Sequence, residues 1–178
     1  ALRTPLISVI IPTYNRPYSL CENLESLSRQ TCASIEIIVV NDCGERVDFV
    51  KDLYPELSIK VIDMETNQKH VHARNKGIQY AEGEFIMLCD DDDVLLPGHM
   101  ERMVEEIEGF DLIYSDVEIF DYKIEGNTRF PTKRLLFAYE YDLEAMKKFS
   151  TFVSSGCLYR RQLHEEIGLF DADVYHYW

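Results

Sequence analysis

Four consecutive carboxylates, Asp90 to Asp93, follow directly on the apolar run Phe85-Ile86-Met87-Leu88-Cys89. A short, bounded apolar run reads as a strand buried on both faces. Such a strand cannot hold uncompensated charge, so the aspartates must emerge at its end, in a crevice or in solvent. Crowded carboxylates raise one another's pKa unless a cation joins them. A hard divalent ion with oxygen ligands, Mn2+ or Mg2+, suits such a group. A solvated acidic turn is the alternative, and the position after a buried strand weighs against it.

Two further polar clusters end strand-like runs. Thr13-Tyr14-Asn15-Arg16 follows Leu6 to Ile11, which is apolar apart from Ser8 and stops at Pro12. Asn41-Asp42-Cys43-Gly44 follows the β-branched run Ile35 to Val40. Between them Leu20, Leu24 and Leu27 recur at helical spacing through about Gln30. A short helical stretch over Val47 to Leu53, a third strand over Ile59 to Ile62 and a helix from about His70 to Ala81 come next. Beyond the aspartates, Pro97 opens a helix whose Met100, Met103, Val104 and Ile107 share one face. Strand-helix alternation over the first hundred residues predicts an α/β fold, with a mainly parallel central sheet and helices on both faces. Ligands of such sheets bind beyond the carboxyl ends of the strands, so the three clusters are expected to converge on one edge.

The second half is less regular. Leu112-Ile113-Tyr114 begins a strand that should continue to about Phe120. Asp121 to Arg134, with Gly126, Asn127 and Pro131, reads as a hairpin or mobile loop and gathers Lys123, Arg129, Lys133 and Arg134. A short helix near Leu143 to Phe149, a strand at Cys157 to Tyr159 and a helix over Arg161 to Ile167 complete the pattern. His70, His72, His99, His164 and His176 form no ligand-spaced set.

The 178 residues, 46 % hydrophobic and 28 % charged, suffice for one domain with a sizeable core and not for two ordinary ones. The formal net charge of -14 argues against nucleic acid or an anionic membrane as main partner. An anionic ligand stays open, because a bound metal ion reverses the local sign. Cys21, Cys32, Cys43, Cys89 and Cys157 are scattered and form no CxxC pair, which favours reduced thiols in a cytoplasmic protein. No apolar stretch approaches membrane-spanning length.

Neither GxGxxG nor GxxxxGK[ST] occurs, which disfavours a dehydrogenase or a phosphate-loop ATPase. A metal site without a glycine-rich cradle can hold a diphosphate through its cation and leave base and ribose to side chains. Asp42 could accept the ring N–H of a uracil or thymine, or it could cap its own Asn-Asp-Cys-Gly turn. A nucleotidyltransferase would need a glycine-rich basic loop after the first strand, for which Pro12-Thr-Tyr-Asn-Arg-Pro17 is a poor substitute.

Ile7-Ser-Val-Ile-Ile-Pro-Thr-Tyr-Asn-Arg16, Ile37-Ile-Val-Val-Asn-Asp42, Ala73-Arg-Asn-Lys-Gly77 and Ala81-Glu-Gly-Glu-Phe-Ile86 occur in order before the aspartates. Together with Ser154-Ser-Gly-Cys157, Arg160-Arg161 and Gly168-Leu-Phe-Asp171, they resemble the family 2 glycosyltransferases. The resemblance spans essentially the whole chain and implies the Rossmann-like GT-A fold as a single domain. Its nucleotide-sugar-binding half would be residues 1–96, and a smaller, irregular acceptor-side half residues 97–178. The implied activity is inverting, metal-dependent transfer from a nucleoside-diphosphate sugar, a UDP- or dTDP-sugar, to an acceptor hydroxyl. Pro12, Thr13, Tyr14 and Asp42 would then hold the base, with Arg16 in the same segment and Arg74 near the uracil or diphosphate. The family's Asp-x-Asp metal motif falls on Asp90 and Asp92, with Asp92 binding Mn2+ or Mg2+ directly and Asp91 facing ribose or sugar. Asp93 would be a helix-cap or supporting carboxylate. The acceptor would be a saccharide, a lipid-linked oligosaccharide or a protein, which allows peripheral attachment at the inner face of a membrane. Phe137, Tyr139 and Tyr141 could stack on a sugar, although packing explains them more simply.

The chain departs from the family's pattern at its end. The catalytic base usually lies in an acidic pair just beyond Gly-x-Phe-Asp, and is expected here immediately after Trp178. The acceptor-side half therefore reads as C-terminally incomplete. Asp171 and Asp173 are the carboxylates available as weaker candidates. A nucleotide-sugar-binding module without turnover is the competing interpretation.

Overall fold

The computed structural model describes residues 6–32, 34–126 and 128–174. Four strands run parallel: β1 (Ile7–Thr13), β2 (Ile35–Asn41), β3 (Ile59–Asp63) and β4 (Phe85–Leu88). Helices α1 (Pro17–Ser28), α2 (Val50–Leu53) and α3 (Lys69–Gln79) connect them in turn. After α4 (His99–Glu106), the short β5 (Leu112–Ile113) joins the same sheet. β8 (Leu158–Arg160) enters late, antiparallel to both β4 and β5, and completes the order β3-β2-β1-β4-β8-β5.

Alternation along the central strands sends side chains to two layers. Ile7, Val9 and Ile11 of β1 pack in one core with Leu20, Leu24 and Leu27 of α1 and Met100 and Met103 of α4. The other face receives α3. A Cβ at Gly77 would stand 2.6 Å from Ile10 Cγ2 and 3.1 Å from Val40 Cγ2, so only glycine lets α3 lie this close to β1 and β2. Helices on both faces of a mainly parallel sheet thus follow from period-2 strands that are apolar on both sides. At the amino ends of the strands, buried Glu36 accepts hydrogen bonds from Ser8 Oγ (2.6 Å) and the Glu82 N–H (2.7 Å).

Two compact units result. One joins the chain up to Ile113 with the stretch from Ser154 onward, and the other is Tyr114–Val153. This partition does not follow a cut between residues 96 and 97, because β8 returns to the sheet beside β4. The strand expected from Leu112 to about Phe120 is two strands in two different sheets. β5 pairs with β8, while β6 (Val117–Glu125) pairs antiparallel with β7 (Thr128–Phe137) in a hairpin of its own. The local β propensity is the same on both sides of Tyr114-Ser115-Asp116; the partners differ.

In the smaller unit, the hairpin carries a register shift between Asp121 and Tyr122 and bends through Gly126 at φ +63°; Asn127 lies outside the described residues. Its two arginines find partners within it: Arg134 pairs with Glu118 at 3.0 Å, and Arg129 lies over the Tyr122 ring. Phe137 and Tyr139 meet edge to face, as do Tyr139 and Phe149, whereas Tyr141 is exposed. A four-residue helix, α5 (Leu143–Met146), is capped by Asp142, and α6 (Leu163–Ile167) follows β8 in the larger unit.

Candidate functional site

The carboxyl ends of β1, β2 and β4 and the first turns of α3 enclose a cavity of about 350 Å³. Pro12, Thr13, Tyr14 and Arg16 enter from the end of β1, Asp42 from β2, Arg74 from α3, and Asp90, Asp91 and Asp92 from β4. Every donor-side residue singled out from the sequence therefore lines one cavity, brought together from positions up to 80 residues apart. His70 also lines it and was not singled out. The signal for it was available, since it precedes Arg74 by one helical turn and so shares its face.

Two arginines engage the carboxylates. Thr13 Oγ1 donates to Asp91 at 2.7 Å, and Arg16 Nη1 reaches both Asp91 (3.2 Å) and Asp92 (2.9 Å). Arg74, 4 % exposed, donates from Nη2 to Asp90 at 2.7 Å. Burial raises the Asp91 pKa, against the pull of Thr13 and Arg16. Asp93 does not line the cavity; burial raises its pKa too, and it bonds to Ser155. The turn is gripped from both sides. Asn23 Nδ2 donates to the Asp90 and Asp93 carbonyls at 3.2 and 2.8 Å, and Ser155 Oγ accepts the Asp90 N–H at 3.0 Å. Cys89 beneath it is an inert thiol, pushed up to about 12 by burial, and all five cysteines are free.

Asp42 is nearly buried and anchors α3. Its two carboxylate oxygens accept the Gln68 and Lys69 N–H groups at 2.7 and 2.8 Å. Each oxygen keeps acceptor capacity for one further bond. The capping role open to Asp42 is thus present, made to the start of α3 instead of the local turn. Asn15 (φ +52°), Cys43 (φ +63°) and Lys69 (φ +72°) are the positive-φ residues other than glycine among the described residues, and all three border this edge. Asn tolerates that region, whereas Lys pays for its Cβ. Lys69→Gly is expected to gain about 0.5–1 kcal/mol of stability, the released strain outweighing the added backbone entropy of the unfolded chain. Urea denaturation measures it, and an unchanged or lowered midpoint would contradict the strain.

Two buried nitrogens at the cavity wall have no hydrogen-bond partner, His70 Nε2 and Arg74 Nε. Burial and the neighbouring Arg74 lower the His70 pKa, which keeps the imidazole neutral at neutral pH. The remaining histidines do other work or lie elsewhere. His99 bonds the Gly156 carbonyl at 2.7 Å and His164 the Tyr159 hydroxyl at 2.8 Å; His72 is exposed, and His176 lies outside the described residues. Asp171 and Asp173 are exposed and do not line the cavity; the Asp173 N–H closes a turn onto Asp171 Oδ1 at 3.0 Å. Among the described residues no group of three or more His, Cys, Asp or Glu is arranged to hold a metal, and no helix is long and apolar enough to cross a membrane.

This sheet, wound with its acidic turn at the carboxyl edge, is the GT-A fold. Superposition on TarS residues 1–349 from S. aureus, solved in complex with UDP, gives a TM-score of 0.68 at 24 % identity, over 95 % of this chain and 51 % of that one. The mannosyltransferase PcManGT from Pyrobaculum calidifontis, solved with GDP-Man and Mn2+, gives 0.67 at 18 % identity, over 97 % and 49 %. The family model of Glycosyl transferase family 2 matches residues 8–168, and the chain belongs to that family. It is 58 % identical over 172 residues to the uncharacterized glycosyltransferase YwdF of Bacillus subtilis (strain 168), covering 97 % of this chain and 64 % of YwdF. EpsJ of the same organism, likewise an uncharacterized glycosyltransferase, is 30 % identical over 96 % of this chain and 52 % of its own length. The chain thus spans less than two thirds of these relatives.

Proposed function

We propose that the cavity binds the nucleoside-diphosphate part of a UDP- or dTDP-sugar, and that the protein transfers the sugar, with inversion, to an acceptor hydroxyl. The observation that carries this is the set of groups gathered at one edge: Asp42 ends β2, the Asp90–Asp92 carboxylates follow β4 on the other side of β1, and buried Arg74 pairs with Asp90 at 2.7 Å in the same cavity. Asp42 suits a base, Arg74 a diphosphate and the aspartates a divalent cation. The neighbouring structures hold UDP in TarS, and GDP-Man with Mn2+ in PcManGT, which supports a nucleotide-sugar donor here.

Asp92 and Asp90 would hold Mn2+ or Mg2+. Two protein carboxylates without a third ligand fit such an ion, which keeps waters and takes substrate phosphate oxygens. Bound there, it supplies Lewis-acid neutralisation of the charge that gathers on the departing diphosphate. Arg16 and Arg74, now engaged by the carboxylates, are placed to hold the same anion through charge-assisted hydrogen bonds. A carboxylate takes the proton of the attacking hydroxyl. Asp171 and Asp173, outside the cavity, keep the weaker claim to that role.

Calorimetric titration of UDP with and without Mn2+ tests the proposal; no heat under either condition from a folded chain would refute it. In the same titration Asp42→Ala should weaken UDP about tenfold or more, with or without Mn2+, through loss of the acceptor for the ring N–H. It should also cost about 1–3 kcal/mol of stability, because the Gln68 and Lys69 N–H groups lose their partner. Unchanged affinity would make Asp42 a structural anchor alone.

A further inference from the structure

We infer that His70 selects the base of the donor nucleotide, donating from Nε2 to the ring carbonyl beside the N–H that Asp42 accepts. This rests on the cavity being the nucleotide site and assigns the feature of the base that is read. Buried side-chain nitrogens are paired in nearly all proteins, and an exception calls for a partner supplied from outside. His70 Nε2 and Arg74 Nε are such exceptions one helical turn apart, on the α3 face that lines the cavity. Arg74 is already committed towards Asp90 through Nη2. His70 also stands beside Asp42, which accepts the N–H of Lys69, the residue immediately before it. The charged groups that act on the imidazole are Arg74, Asp90 and Asp42, and burial with Arg74 keeps it neutral. A neutral imidazole in the tautomer with its proton on Nε2, the one this pairing requires, offers a donor without adding a charge beside Arg74.

The wall therefore presents an acceptor, Asp42, next to a donor, His70. Uracil and thymine offer the complement, N3–H beside C4=O. Cytosine offers the reverse, an unprotonated N3 beside an amino group, so it would meet carboxylate with lone pair and N–H with N–H. A site built to pair one edge rejects the mismatched edge strongly, because its own buried groups stay unpaired. Guanine carries the same N–H beside C=O, so this pair discriminates against CDP and not against GDP.

The test is calorimetry of UDP and CDP, in Mn2+, on the wild-type chain and on His70→Leu and His70→Gln. Wild type should prefer UDP by about 100-fold or more. His70→Leu should weaken UDP about tenfold and leave CDP no weaker, so that the preference falls by the same factor. His70→Gln, whose amide N–H reaches about as far as Nε2, should recover most of the UDP affinity. Should His70→Leu fail to fold, as judged by circular dichroism, His70→Asn replaces it, since its shorter amide cannot reach. Wild-type affinity and preference in the Leu or Asn variant would overturn the inference, and so would equal losses for UDP and CDP. Failure of the wild-type chain to bind UDP would instead overturn the nucleotide site itself, and this inference with it.

Discussion

Asp92→Asn is expected to abolish the Mn2+-dependent part of UDP binding, a loss of about 100-fold or more, while the protein stays folded. Asp92 is about half exposed, and its ion pair with Arg16 at 2.9 Å is made by an equally exposed side chain. Exposed pairs of this kind contribute about 0–1 kcal/mol, and removing one charge from four consecutive aspartates relieves repulsion, so the thermal midpoint should barely move. Binding is another matter. A hard cation exchanges a charged carboxylate for a neutral amide, which is a much weaker ligand. The decisive comparison is between titrations with and without Mn2+. In the variant the two should coincide, at the affinity of the metal-free wild type. Retained metal enhancement would move the cation to other ligands.

The second large effect is expected from Arg74→Met. Arg74 is 4 % exposed, and one side of its guanidinium holds Asp90. Losing one partner of a buried pair is costly when the other stays buried, but the Asp90 side chain is 39 % exposed and can be hydrated in place. Met fills most of the aliphatic volume. Stability should therefore fall by no more than about 1–2 kcal/mol. UDP affinity should fall about 100-fold, the scale of a lost charge-assisted bond to phosphate, while uridine, which lacks the diphosphate, should bind as before. Equal losses for UDP and uridine would place Arg74 at the base and not at the diphosphate.

Much of this molecule is legible in its sequence. Central strands that are apolar on both faces betray helices above and below, and Leu20, Leu24 and Leu27 mark α1 by spacing alone. The polar clusters after β1, β2 and β4 announce a shared edge, since parallel strands end on the same side of a sheet. The irregular half was harder to read. Leu112 to Phe120 looks like one strand because β propensity is a local property, whereas the break at Tyr114-Ser115-Asp116 reflects two different partners, β8 and β7. His70 is hard to read for a similar reason: the histidines show no ligand spacing among themselves, and the relevant neighbour is Arg74.

Periodicity along the chain dictates the strands and helices of the first hundred residues, which residues stand at strand ends, and hence that carboxylates and arginines meet at one edge. These follow from side-chain periodicity and from the exclusion of charge from a buried strand, both local in the chain. What each group does once there depends on long-range packing. It spends Asp42's first hydrogen bonds on the start of α3, turns Asp93 to Ser155 while Asp91 takes Thr13, and leaves His70 Nε2 and Arg74 Nε buried without partners. Those outcomes depend on contacts between residues far apart in sequence, whose geometry exists only after the sheet has closed and the helices have packed upon it.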